Sequence, residues 1–373
     1  MDDRECRLLD AELNKEGGYN MDKVREIAST GLPLSITWLQ RAKIWKLLVG
    51  ITTPNTNDAT LEKMRSKYRT LAANKFNGSV EFSSSDAPLT PTTPSSPDMP
   101  LSPLHYRKSE EGTGVIEQRF DLSQLRQIRL DLVRTRPDRF SRFFGGRKAQ
   151  FVLTRLLYVW GVTNPACGYV QGINDIAVPF FIVYALGELQ KRTGDHLSTN
   201  FDHINEILVD DDYLTAECDT FLTLQIILNE VQDNYIAGRP GVNEYIRTLN
   251  KMLSRVHPAL HGHLKEIGVA EEQFALRWVN CIFAREFSSL TLIRLWDGIL
   301  SEEIRNLKST LIYISVTLLM KFGDRILQYD FEKSMLLLQR LPTLEWTPEE
   351  IPTLLAEAYV WRCLFAESPQ HLR

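Results

Sequence analysis

The chain has 373 residues, of which 43% are hydrophobic and 24% charged, with a formal net charge of −4 and a pI near 6.0. That composition supplies a sizeable core for two domains or one domain with two lobes, and it argues against nucleic-acid binding, which needs a basic excess. The most apolar runs, 176–186 and 311–320, fall well short of the roughly 18 residues of a membrane span. The opening MDDRECRLLDAELNKEGG is charged and lacks the apolar stretch of a secretory signal. Five cysteines (Cys6, Cys167, Cys218, Cys281 and Cys363) are scattered and form no close pair. They read as free thiols in a reducing compartment, so the expected location is the cytosol.

Along the chain, residues 77–114 are rich in Ser, Thr and Pro and show no apolar period. Such a segment buries too little surface to offset its ordering entropy, and a disordered insertion is predicted. Thr90, Thr93, Ser96 and Ser102 each precede a proline, the pattern of proline-directed phosphorylation. A plain flexible spacer accounts for the same composition. Residues 126–140, RQIRLDLVRTRPDRF, read as a helix that stops before Pro137. Ile128, Asp131 and Arg134 are spaced three apart, so Asp131 is expected to reach Arg134 near the helix end and fix its rotamer. FFGGRK (143–148) lacks the spacing of a phosphate-binding loop and reads as a turn between helices.

Asn164-Pro165 blocks helix continuation from Trp160, and Gly168 and Gly172 bracket Tyr169, Val170 and Gln171. Gln171 is thus predicted on a tight loop that enters an apolar helix from Asn174 onward. Asp210, Asp211 and Asp212 suit a helix N-terminus, where acids complement the macrodipole. Val242, Tyr245, Ile246, Leu249, Met252, Leu253 and Val256 recur at helical spacing. His257, His261 and His263 offer an i, i+4 pair, yet Pro258 and Gly262 are expected to break the geometry and no metal site is assigned. Thr347-Pro348-Glu349-Glu350 is a capping box ahead of a helix with Ile351, Leu354, Leu355, Ala358 and Tyr359 on one face. Period-two alternation and repeats of fixed period are both missing. The fold class is all-α.

Taken singly, Arg134 reads as a helix-surface ion pair and Gln171 as a loop amide capping a backbone group. Together the motifs say more. Ile128-x-x-Asp131-x-x-Arg134 followed by Tyr169-x-Gln171-Gly172 resembles the paired signature of the TBC domain, the helical module of Rab GTPase-activating proteins. Gly31-Leu32-Pro33 with Arg41-x-x-x-Trp45 looks like the first motif of that family, although the gap from Pro33 to Arg41 is longer than its usual pattern. Residues 274–287 with IRLWDGIL (293–300) are similar to its third region. GYVQGIND and the closing LPTLEWTPEEIPTLLAEAY look most like the branch that holds the yeast Golgi Ypt GTPase-activating protein. The likeness runs from about Asp22 to Pro369, which leaves 1–21 as an N-terminal extension and 22–373 as a two-lobed TBC domain that contains the insertion.

The resemblance implies an activator, not a free-standing enzyme. Arg134 would enter a Rab active site as an arginine finger, an effect worth roughly 10³–10⁵ in rate. Gln171 would orient the attacking water, a job its neutral amide suits because it both accepts and donates. Asp131 would orient Arg134; Ile128, Tyr169 and Gly172 would set the motif; Arg41, Trp45, Trp278, Arg285, Trp296 and Asp297 would be structural. The partner would be a Rab in its GTP form, which brings its own GTP and magnesium, so no cofactor of this chain is expected. Peripheral recruitment to Golgi or endosomal membranes and a role in vesicle trafficking follow from the same likeness. A non-catalytic TBC-like scaffold or Rab effector is the alternative, and an effector would need neither Arg134 nor Gln171.

Overall fold

The computed structural model describes residues 7–9, 11–12, 20–53, 56–76, 121–194 and 201–366. The 77–114 insertion with Thr90, Thr93, Ser96 and Ser102, and residues 1–6, 10 and 13–19 of the N-terminal extension, lie outside the described residues. Helices start where the sequence supplies a cap. Asn20 opens α1 (Met21–Ala28), Thr37 with Gln40 forms a capping box on α2 (Trp38–Leu48), and Asn57 caps α3 (Asp58–Lys75). Asp121 caps α4 (Leu122–Arg134), and Gly146 of the FFGGRK junction precedes α5 (Arg147–Thr163). Next come α6 (Ile173–Thr193) and α7 (Asp210–Glu230), where Asp212 Oδ2 accepts from Val209 N at 3.1 Å. The C-terminal half holds α8 (Pro240–Val256), α9 (Pro258–Glu266), α10 (Glu272–Asn280), α11 (Ser289–Ser301), α12 (Leu307–Ile326), α13 (Phe331–Gln339) and α14 (Ile351–Ala366). No strand occurs among the described residues, and the four described cysteines are free.

Two groups of helices result. In the first, α6 packs between α2 and α7, while α5 lies against α3, α4 and α7. In the second, α8 carries α9, α10 and α12, and α12 and α11 hold α14. The predicted stripe of α8 is buried from Val242 to Leu253, with Val256 partly covered. The Thr347 box forms and starts a single 3₁₀ turn that runs into α14. Tyr359 departs from expectation: it is 56% exposed, because two full turns from Ile351 it has rotated to the edge of the buried stripe. The histidine run also departs. Helix α9 passes straight through Gly262, since Pro258 sits at its first position, where a missing N–H costs nothing. His257 Nδ1 caps it by accepting from Leu260 N at 3.1 Å, and His263 Nε2 lies 2.9 Å from the Tyr329 carbonyl.

Helix α11 joins the groups by touching α2 and α6, and one residue secures the joint. Asp297 is 0% exposed and accepts from Arg41 Nε and Nη2 at 3.2 Å each, from Trp45 Nε1 at 2.7 Å and from Leu32 N at 3.1 Å. The Thr37 cap starts the helix that delivers Arg41 to this carboxylate. Trp296, next to it, meets Phe180 of α6 edge-on at 4.9 Å. Removing one partner of a buried charge pair strands the other, at a cost of about 3–5 kcal/mol. Asp297→Ala is therefore expected to lose that much stability in urea unfolding, and a loss below about 1 kcal/mol would contradict the clamp.

A second buried carboxylate, Asp219 of α7, accepts from Lys46 Nζ at 3.0 Å and from Arg65 Nε and Nη2 at 2.7 and 2.6 Å. Burial opposes its ionisation, but the two cations outweigh burial and hold the carboxyl below its ordinary value. A depressed folded-state pKa contributes stability that is present above the unfolded value of about 3.9 and lost as pH falls through the folded one. The stability gap between wild type and Asp219→Asn should accordingly be widest near neutral pH and close in acid, read from urea midpoints at a series of pH values.

Candidate functional site

Leu125, Ile128 and Leu132 bury one side of α4. Residues seven apart share a line along a helix, so Gln124 and Asp131 flank the buried stripe, and Gln127 and Arg134 form the next row outward. Arg134 is the last helical residue and is exposed; Thr135, extended at ψ 94°, turns the chain away.

The glutamine loop is built by turn chemistry. Asn164 ends α5, with its Nδ2 donating to Trp160 O at 2.8 Å, and Gly168 N closes the turn onto Asn164 O at 2.8 Å. Gly168 (φ +60°) and Gly172 (φ +110°) take the left-handed conformation that side chains resist. Helix α6 then begins at Ile173, one residue earlier than the sequence suggests. Gly172 lies directly over the end of α10, where an added Cβ would stand 3.1 Å from Cys281 Sγ. Gln171 at the loop tip is exposed.

Three hydrogen bonds tie this loop to α4. Gln124 Oε1 accepts from Tyr169 N at 2.7 Å, and Gly161 of α5 leaves the space that Gln124 fills. Tyr169 OH donates to Asp131 Oδ2 at 3.0 Å. Asn174 Nδ2 donates to Thr135 Oγ1 at 2.9 Å. Burial, and then the Asp131 carboxylate beside it, push the Tyr169 phenol above its usual pKa, so it stays protonated and remains a donor.

The expected Asp131–Arg134 pair does not form. Asp131 is 3% exposed and accepts instead from Tyr169 and from Gln127 Nε2 at 3.1 Å. The physical reason is desolvation. Neutral donors satisfy a buried carboxylate without bringing a solvated guanidinium out of water. Arg134 and Gln171 make no side-chain hydrogen bond or ion pair with the described residues.

The floor of the site comes from the second helical group. Arg285 Nε donates to Asp175 Oδ2 at 2.7 Å in the first turn of α6. Burial raises the Asp175 carboxyl above its ordinary pKa, although Arg285 offsets part of this. Ile282 (φ +46°) and Phe283 (φ +60°) are both left-handed and fully buried, a costly pair of conformations held by packing, with Trp278 6.2 Å from the Phe283 ring. Gln124, Gln127, Thr135 and Asn174 were not singled out from the sequence. The seven-residue spacing of Gln124 and Asp131 was the available signal for the first of them. Asn174 had only the look of a helix-start residue.

The family model for the Rab-GTPase-TBC domain matches residues 101–327, which include α4, the glutamine loop and the Asp297 helix. The chain belongs to this family. It is 37% identical to TBC1 domain family member 22B of Homo sapiens over 275 residues, covering 72% of this chain and 52% of that protein. It is 29% identical to GTPase-activating protein gyp1 of Schizosaccharomyces pombe over 369 residues, 98% of this chain and 62% of that one. The chain therefore spans between about half and three fifths of the length of these curated relatives. The crystal structure of the Ypt/Rab-GAP domain of Gyp1p superposes with a TM-score of 0.78 at 29% identity, covering 98% of this chain and 99% of that one. In this TBC domain Arg41 lies ahead of the matched span and reaches into it through Asp297.

Tyr169→Phe deletes one donor to a buried carboxylate and leaves the ring in place. A loss of about 1.5–3 kcal/mol is expected in urea unfolding, the range for hydrogen bonds to charged groups; an unchanged midpoint would show that Asp131 is satisfied without the phenol.

Proposed function

We propose that this TBC domain is a GTPase-activating protein for a Rab-family GTPase in its GTP form, and that Arg134 and Gln171 act in trans in the partner's active site. One observation carries the reading. The two exposed side chains are unpaired, while the segments that bear them are tied to one another through hydrogen bonds that are partly or fully buried. A helix-surface arginine serving only solubility, or a loop amide serving only as a cap, would not call for such a foundation. The relatives named as GTPase-activating proteins support the same activity.

In phosphoryl transfer negative charge spreads over the γ-phosphoryl oxygens, and a guanidinium presented there stabilises it without reorganisation. Arg134 takes that role. Gln171 holds the attacking water, since an amide accepts from water and donates to phosphate without adding charge. GTP and magnesium arrive with the partner. Tyr169, Asp131, Ile128 and Gly172 position the two fingers. Arg285 secures the first turn of α6, and Arg41, Trp45 and Asp297, with Trp278 and Trp296, hold the scaffold. Such an activator would shut off a Rab in vesicle trafficking, recruited peripherally to a Golgi or endosomal membrane.

Single-turnover GTP hydrolysis by a panel of purified Rabs tests this. Arg134→Ala is expected to lose roughly 10³–10⁵ of the stimulated rate, and Gln171→Ala roughly 10²–10³, with both variants still binding the GTP-loaded partner. Equal rates for wild type and both variants across the panel would overturn the proposal.

A further inference from the structure

We infer that Asn174 is the positioning residue that fixes the arginine and glutamine fingers relative to one another, an inference resting on the reading of Arg134 and Gln171 as the acting pair. Its side chain is 3% exposed, in the first turn of α6. Its hydrogen-bond polarity is forced. Gly172 N, a backbone donor, lies 3.0 Å from Asn174 Oδ1, so that atom must be the carbonyl oxygen. The amide nitrogen then faces Thr135 Oγ1 at 2.9 Å and donates to it. The Thr135 hydroxyl is left to donate in turn to the Asp131 carbonyl at 2.9 Å, which closes the chain of donors inside α4. The second amide hydrogen has Asp175 Oδ1 at 3.1 Å. Tyr169 OH stands 3.1 Å from Asn174 Oδ1 and 3.0 Å from Asp131 Oδ2; its single proton favours the charged acceptor.

Both anchor points adjoin a finger. Thr135 follows Arg134 directly. The Gly172 N–H belongs to the peptide that leaves Gln171, and with Gly172 at φ +110° that peptide has no helical partner to set its plane. One planar amide thus holds the Thr135 hydroxyl and the Gly172 N–H, each on the residue just after a finger, with Thr135 39 residues before Asn174 along the chain. Helix capping does not account for this. A cap needs only an acceptor, which Ser, Thr or Asp supplies equally. The link to Thr135 needs a donor atom apart from that acceptor on the same short side chain, and the Asn amide supplies the two as separate atoms. Misplacing reacting groups by about 1 Å costs on the order of 10² in rate, so loosening this brace should slow hydrolysis without loosening the complex.

The test uses a Rab that the wild type stimulates, with single-turnover rates measured across protein concentration to separate the maximal rate from half-saturation. Asn174→Ala should lower the maximal rate about 10²-fold and move half-saturation by less than about threefold. Thr135→Val removes the same link from the other side with little change of shape, and should show the same split if Asn174→Ala folds poorly. The double variant should be no slower than the slower single one, as expected for two ends of one interaction. Asn174→Asp keeps the acceptor for Gly172, loses the amide donor and sets a charge beside Asp131 and Asp175; it should not restore the rate. Wild-type maximal rates in Asn174→Ala and Thr135→Val, or a loss confined to half-saturation or to melting temperature, would overturn the brace. Failure of the underlying reading is separately visible, because Arg134→Ala and Gln171→Ala would then keep wild-type rates whatever Asn174 does.

Discussion

The hydrogen bond from the Tyr169 hydroxyl to the buried carboxylate of Asp131 joins the end of one helix to a loop 38 residues further on. A carboxylate withdrawn from water must be given donors or become costly, and the donors here come from the glutamine loop and from Gln127 one turn back on the same helix. That requirement holds Tyr169, and with it the loop, against the end of α4. Arg134 is then oriented indirectly. Its helix is locked while its own side chain stays in water. The arrangement suits a residue whose charge has to remain available to a partner, since a guanidinium already paired to Asp131 would have to break that pair first.

Much of this was legible along the chain. The α8 stripe, the stop before Pro137, the glycine-bracketed loop and the Thr347 capping box all follow from local rules whose partners lie within a few residues. The motif spacing carried the family. What was not legible is what those residues touch. Asp131 and Arg134 are close enough to pair, and spacing could not show that burial would assign the carboxylate to a tyrosine on another element. Gln124 lies outside the helix predicted over 126–140, and its role depends on the space that the bare Gly161 of α5 leaves for it. Asn174 was hidden because a helix-start asparagine has a sufficient local explanation. The α9 histidines erred the other way, since Pro258 read as a breaker starts a helix and Gly262 was tolerated inside one.

The two helical groups divide the work around this site. The first carries Arg134 and Gln171. The second contributes the strained turn at Ile282 and Phe283, which places Cys281 under Gly172 and Arg285 against Asp175. Burial pushes the Cys281 thiol up to about 12, so it serves as a small packing surface and not as a reactive group. Strain of this kind persists only where surrounding packing over-determines it, and both residues are fully enclosed. Asp297, binding Arg41, Trp45 and Leu32 across the joint, keeps the two groups in register so that the turn stays beneath the loop.

Because Arg134 and Gln171 are anchored at the backbone yet unpaired at their tips, their rotamers are unsettled until something engages them. Long polar side chains lose up to about 1.5–2 kcal/mol each in rotamer entropy when fixed. A surface that binds the domain but presents no anionic group to them leaves both tips free to rotate and gains no contact from them. If the two tips act as proposed, the contacts that offset this ordering cost come only from a partner that carries the terminal phosphoryl, so the selectivity lies in the tips and not in the surface around them.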